Sequence, residues 1–106
     1  MTEVLIGIDL GTTNTKTIVV DADGRTLALA AREYAVETPR PGWAEQQPTT
    51  WLQAAAETLR EAIAASGVSP AHVAAIGLSG QMHGAVLLDG HGQPVRRLSD
   101  HAVVAE

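Results

Sequence analysis

The chain has 106 residues, 45% hydrophobic and 18% charged, and a net charge of −5. Such a composition belongs to one ordinary globular domain. It excludes a disordered chain and argues against a nucleic-acid partner, because phosphate backbones select for a basic face. There is no cysteine, so neither a disulfide framework nor a thiolate metal site is expected, and a reducing cytoplasm is the expected location.

The start, MTEVLIGID, has no basic region ahead of its short apolar run, and no segment approaches the roughly 20 apolar residues of a membrane span, so neither a signal peptide nor a membrane partner is expected. Phe is absent, which leaves the core to Ala, Val, Leu and Ile.

Val4 to Leu10 is short, apolar and β-branched, the pattern of a buried strand. Gly11 to Asn14 breaks it, and Thr15 to Asp21 reads as a second strand. Asp21 to Arg25, DADGR, is a turn: aspartates bond their own backbone, and Gly24 supplies a positive φ. Thr26 to Val36 is expected as a third strand. Its alanines also permit a helix, but the hairpin-like turn before it favours a strand and so an antiparallel meander. Glu37 to Pro48 is a polar loop.

From Thr49 to Ser66 the spacing turns helical, with Leu52, Ala55, Leu59, Ala62, Ile63 and Ser66 expected on one face. Pro48 suits the first turn, Thr50 with Gln53 suits a capping box, and Gly67 suits the position after the last turn. Ser69 caps a second short helical turn begun by Pro70. Val73 to Gly80 reads as a buried strand. Gly84 to Val95 reads as a strand and a Gly-rich turn, with room for another strand. The order β-β-β-α-β-β gives an α/β fold whose mixed sheet carries a helix on one face.

The chemistry gathers at IGIDLGTTNTK, Ile6 to Lys16. An apolar strand ends in Asp9, and Gly11, Thr12, Thr13, Asn14 and Thr15 follow at once. Two common phosphate loops are excluded by spacing, since neither G-x-x-x-x-G-K-[ST] nor G-x-G-x-x-G is present. Here the loop joins two strands. A phosphate would therefore sit on a hairpin turn, cradled by hydroxyls and turn N–H groups, with Gly11 allowing close approach. Asp9 cannot bind an anion directly; it suits a hydrated Mg²⁺, which takes one or two carboxylates. Lys16 adds a point charge, its facing undecided by period 2 alone. A plain hairpin turn is the competing reading.

Asp9-Leu10-Gly11-Thr12-Thr13 resembles the first phosphate motif of the actin-like ATPases, which include sugar kinases, heat-shock chaperone ATPases and actin. Pro41 to Trp51, PGWAEQQPTTW, resembles the G-W-x-E-x-x-P-x-x-W stretch of the FGGY carbohydrate kinases. Ile76 to Asp89, IGLSGQMHGAVLLD, resembles their xylulokinase branch. The three matches follow the family's order and reach about Asp89. The resemblance implies a ribonuclease-H-like fold and ATP-dependent phosphorylation of the 5-hydroxyl of D-xylulose. Asp9 would organise Mg²⁺; Gly11, Thr12, Thr13, Asn14 and Lys16 would contact the ATP phosphates; and Gln81, Met82 and His83 would line the sugar site. Trp43 and Glu45 would order the long loop, and Trp51 would pack at the helix start. Asp21, Asp23 and Asp89 read as turn residues. His72, His91 and His101 show no ligand geometry, so no protein-held zinc is expected.

Two departures qualify the likeness. Family members are several times longer, and the aspartate that takes the sugar proton is expected well beyond this chain, with Asp9 only supporting. The family also runs from PV-R into a Trp-Asn-Asp-x-Arg-like segment, where this chain reads RRLSDHAVVAE and Asp100 receives no role. The expectation is an incomplete N-terminal domain over 1–106, family-like over 1–97 and divergent or truncated over 98–106, inactive alone. Other classes remain open: a non-catalytic nucleotide-binding or assembly module, a kinase for another sugar or polyol, and a structural fragment that self-associates into a homo-oligomer through an open sheet edge.

Overall fold

A computed structural model describes residues 3–38, 40–42, 44–81 and 86–96. Strands β1 (Val4–Leu10), β2 (Asn14–Asp21) and β3 (Thr26–Glu33) lead into helix α1 (Pro48–Ser66). A 3₁₀ turn (Pro70–His72) then introduces β4 (Val73–Gly80), and two short strands follow, β5 (Leu87–Leu88) and β6 (Pro94–Arg96). The main sheet has the order β3-β2-β1-β4. β1 to β3 form the expected antiparallel meander, and β4 runs parallel to β1, the direction that a helical crossover produces. The sequence order of five strands becomes six, because β5 and β6 pair as a separate ribbon. Their turn is closed by Asp89, whose Oδ1 accepts from the backbone N–H of His91 at 2.7 Å and of Gln93 at 3.0 Å.

Period 2 places Val4, Ile6 and Ile8 of β1, and Thr15, Thr17 and Val19 of β2, on one buried face. Helix α1 covers that face with Ala54, Thr58 and Ala62. Small helix residues allow close approach, and the three buried threonine hydroxyls are satisfied, that of Thr15 by the Tyr34 hydroxyl at 2.9 Å. Thr17 Oγ1 lies 2.7 Å from Thr58 Oγ1, which itself donates to the Ala54 carbonyl at 2.8 Å. On the rim, Arg32 of β3 meets Glu57 at 3.3 Å and Glu61 at 3.1 Å on α1; the hydrogen bond and charge of Glu61 lead in raising its pKa above the usual guanidinium value.

Four sequence expectations are corrected here. β3 ends at Glu33 and not at Val36, because its partner β2 begins at Asn14, opposite Glu33; one further backbone bond, from Tyr34 N to the Thr13 carbonyl at 3.0 Å, ties its end to the turn. The capping box is absent: the N-cap is Gln47 with no side-chain cap, and Gln53 donates instead to Glu57. The helix face keeps Ala55, Leu59, Ala62 and Ile63 toward the core as expected, but Leu52 is 72% exposed, and Ala54 and Thr58 are buried beside them. β4 has its expected bounds but is not buried; Ile76 is 51% and Leu78 71% exposed. α1 packs over β2 and β3 and reaches β1 only at its margin, so β4 lacks helix cover among the described residues. Pro48 at the first turn, Gly67 at φ 72° and the Ser69 cap on the 3₁₀ turn all follow the sequence reading.

Candidate phosphate and metal site

The β1–β2 connection is three residues, Gly11 to Thr13, between the ends of two paired strands. Every carbonyl of the turn is held by the fold. Gly11 O accepts from the Tyr34 hydroxyl at 2.6 Å, and Thr12 O accepts from Gln46 Nε2 at 2.6 Å. Thr13 O accepts from Tyr34 N at 3.0 Å, and Asn14 O from Gly11 N at 2.8 Å. No acceptor within the described residues takes the N–H of Thr12 or Thr13. A turn whose oxygens are tied inward and whose amide hydrogens are left over offers the donors that an anion cradle uses. Gly11 is needed for the turn itself, since a Cβ there would lie 2.8 Å from Asn14 O.

Asp9 sits at the carboxyl end of β1, on the face opposite α1 and exposed. Its partner across the parallel β4 is Ser79, whose hydroxyl donates to Asp9 Oδ1 at 2.9 Å. Across the antiparallel β2 its partner is Lys16, also exposed. Directly opposed residues share a face, so the facing of Lys16 is settled: it stands beside Asp9. These side chains border an open trough of about 440 Å³ on the bare sheet face. Gly7 and Gly77, paired side by side, form its floor. A Cβ at Gly7 would press on Ile18 at 3.2 Å, and one at Gly77 would project into open space. The floor is thus low where a bound group would lie.

A carboxylate held by one donor, a lysine one strand away and a cradle of amides fit a polyphosphate with its divalent cation. Asp9 is the only carboxylate bordering the trough among the described residues. It would hold the cation, directly or through water, while Lys16 and the turn amides would meet phosphate oxygens. Asn14 is half-buried at the start of β2, beside the cradle.

Gln81 lies just past β4, and its amide faces the turn. Its Oε1 accepts from Thr12 Oγ1 at 3.1 Å, and its Nε2 donates to Gln46 Oε1 at 3.3 Å. Met82 and His83 lie outside the described residues, as do Trp43 and Asp100. Glu45 is 3% exposed; its backbone exchanges two 2.8 Å hydrogen bonds with that of Glu37 across the loop. Trp51 has a polar task as well as packing, donating Nε1 to Gln46 Oε1 at 3.1 Å.

Three residues of the site are missing from the sequence reading: Tyr34, Gln46 and Ser79. Ser79 follows once β4 is paired in parallel with β1, which brings the two strand ends together. Tyr34 and Gln46 give no such signal, since both reach the turn from irregular segments.

A family model described as the FGGY family of carbohydrate kinases, N-terminal domain, matches residues 4–100. The xylulose kinase of Bacillus subtilis is 41% identical over 92 residues, covering 87% of this chain and 18% of that protein. A glycerol kinase of Methylorubrum extorquens is also 41% identical, over 96 residues, covering 90% of this chain and 19% of that one. A crystal structure of a xylulose kinase from Brucella ovis superposes with a TM-score of 0.85 at 36% identity, over 92% of this chain and 20% of that chain. The chain therefore spans about a fifth of the length of the relatives it matches.

Proposed function

The chain belongs to the FGGY family of carbohydrate kinases, and from that membership we propose that it carries the phosphate-binding part of an ATP-dependent kinase acting on D-xylulose. One observation supports this reading above the others: the Gly11–Asn14 turn has all four carbonyls tied into the fold and leaves the Thr12 and Thr13 amides over, beside Asp9.

Phosphoryl transfer asks a protein chiefly for positioning and charge neutralisation. When bound, Mg²⁺ would neutralise charge on the phosphates. The chain's own residues align around that task. Asp9 anchors the cation, Ser79 fixes the carboxylate, Lys16 adds positive charge, and the Gly11, Thr12, Thr13 and Asn14 turn orients oxygens. Asp9 is given no role as a base. The residue that takes the sugar proton is assigned outside residues 1–106, in the four-fifths of the relatives' length that this chain does not span. Gln81, Met82 and His83 are assigned to the sugar side.

Xylulose kinases predominate among the similar proteins, and the glycerol kinase at equal identity makes a polyol the second candidate. Calorimetry with Mg·ATP on the chain, then with D-xylulose, glycerol and gluconate in turn, tests the reading. Binding of Mg·ATP that is lost in Asp9→Ala, with no ADP released by the isolated chain, is expected. Absence of nucleotide binding by the folded chain refutes the proposal, and a response to glycerol but not D-xylulose moves it to the polyol.

A further inference from the structure

The phosphate turn, Gln81 and helix α1 all bond to one side chain, Gln46. Gln46 is 3% exposed, and both ends of its amide are bonded. Its Nε2 donates to Thr12 O at 2.6 Å and, more weakly, to Ala35 O at 3.5 Å. Its Oε1 accepts from Trp51 Nε1 at 3.1 Å and from Gln81 Nε2 at 3.3 Å. Thr12 Oγ1 closes the circuit by donating to Gln81 Oε1 at 3.1 Å. An amide is the group for this place, since it alone offers donors to the Thr12 carbonyl and an acceptor to two N–H donors at once. Trp51 lies in the first turns of α1, so the joint is anchored on a rigid element.

We infer that Gln46 is a positioning residue that sets the phosphate turn, Gln81 and Trp51 in register, so that an occupied phosphate cradle is felt at Gln81, the residue assigned to the sugar side. The inference rests on the kinase reading above. Buried hydrogen-bonded networks of this kind are coupled more strongly than their separate bonds. A phosphate that draws the Thr12 and Thr13 amides outward pulls on the Thr12 carbonyl, hence on Gln46, and through it on Gln81 and Trp51.

The test is a set of ¹H–¹⁵N spectra of the chain, with and without Mg·ATP, for the wild type, Gln46→Glu and Gln81→Met. Gln46→Glu keeps size and acceptor but removes the donor to Thr12 O. In the wild type, the Thr12 and Thr13 amides, the Gln81 side-chain amide and the Trp51 indole N–H are expected to shift with one common midpoint. In Gln46→Glu the indole shift is expected to be lost while any turn-amide response persists, and the Gln81 shift, still fed by its direct bond from Thr12 Oγ1, is expected to shrink. Gln81→Met, a change at a partly exposed site, should move the Thr12 amide and the Trp51 indole in the absence of ligand, and it carries the test if Gln46→Glu does not fold. Turn amides that respond to Mg·ATP while the indole and Gln81 stay silent overturn the inference and leave the kinase reading intact. Turn amides that ignore Mg·ATP, in a chain whose ligand-free Thr12, Gln81 and indole signals still move in the variants, sink the nucleotide reading and leave the Gln46 joint standing.

Discussion

Ser79 holds Asp9: its hydroxyl donates to the carboxylate at 2.9 Å, across two strands that run parallel and end at the same side of the sheet. Carboxyl ends of parallel strands are where open α/β sheets gather ligands, and with one oxygen held the other is left for the cation that the proposal assigns to Asp9. Ser79→Ala removes one hydrogen bond and no packing of note, since Ser79 is exposed. A net value of about 1 kcal/mol corresponds to roughly fivefold weaker binding of Mg·ATP. Calorimetry in the presence of Mg²⁺ should show that loss, and chelating the metal should erase the difference between variant and wild type. Equal affinities in Mg²⁺ would detach Ser79 from the site.

Gly11 is tested through stability. An alanine Cβ would meet the Asn14 carbonyl oxygen at 2.8 Å, a backbone atom that closes the turn and cannot swing aside. Forced contacts of this kind cost about 1–3 kcal/mol. Gly11→Ala should lower the urea midpoint accordingly, ahead of any effect on nucleotide. An unchanged midpoint would show that the turn relaxes freely.

Much of this architecture was legible in the residues. Val4 to Leu10 declares a strand by its apolar, β-branched run, and the Asp21 and Gly24 turn declares itself by chemistry. Both Oδ1 bonds of Asp21 form, to Asp23 N and Arg25 N at 2.9 Å each. The Gly11 to Thr13 turn was legible as a strand-to-strand connection because its small polar residues follow an apolar strand. What stayed hidden depended on tertiary placement. The exposure of β4 depends on where α1 lies, and no local pattern states that. Tyr34 and Gln46 reach the turn from segments without periodicity, separated from Gly11 by 23 residues and from Thr12 by 34.

Helix α1 separates two residues that local spacing places on one face. Leu52 is 72% exposed and Ala62 fully buried. Leu52→Gln should change stability by less than about 0.5 kcal/mol, as surface substitutions do. Ala62→Leu should cost about 1–3 kcal/mol, because the helix approaches the sheet closely at that point. Thermal or urea unfolding of the two variants decides it. A large loss at Leu52 would return it to the face that the spacing gives it, and tolerance at Ala62 would show that the helix does not approach the sheet closely there.

The buried hydroxyl chain between sheet and helix gives a directional prediction. Thr58 Oγ1 donates to the Ala54 carbonyl at 2.8 Å, so its 2.7 Å contact with Thr17 is one in which Thr17 donates. Thr58→Val therefore strands a buried Thr17 hydroxyl and should cost about 1–3 kcal/mol, the penalty of an unsatisfied group. Thr17→Val leaves Thr58 bonded to Ala54 and should cost less, about 0.5–1.5 kcal/mol. The double variant replaces both partners by groups of the same shape, so it should lose less than the sum of the singles. Such a cycle isolates the pair. Strict additivity in urea unfolding would mean that the two hydroxyls act independently, and a larger cost for Thr17→Val would reverse the direction of donation.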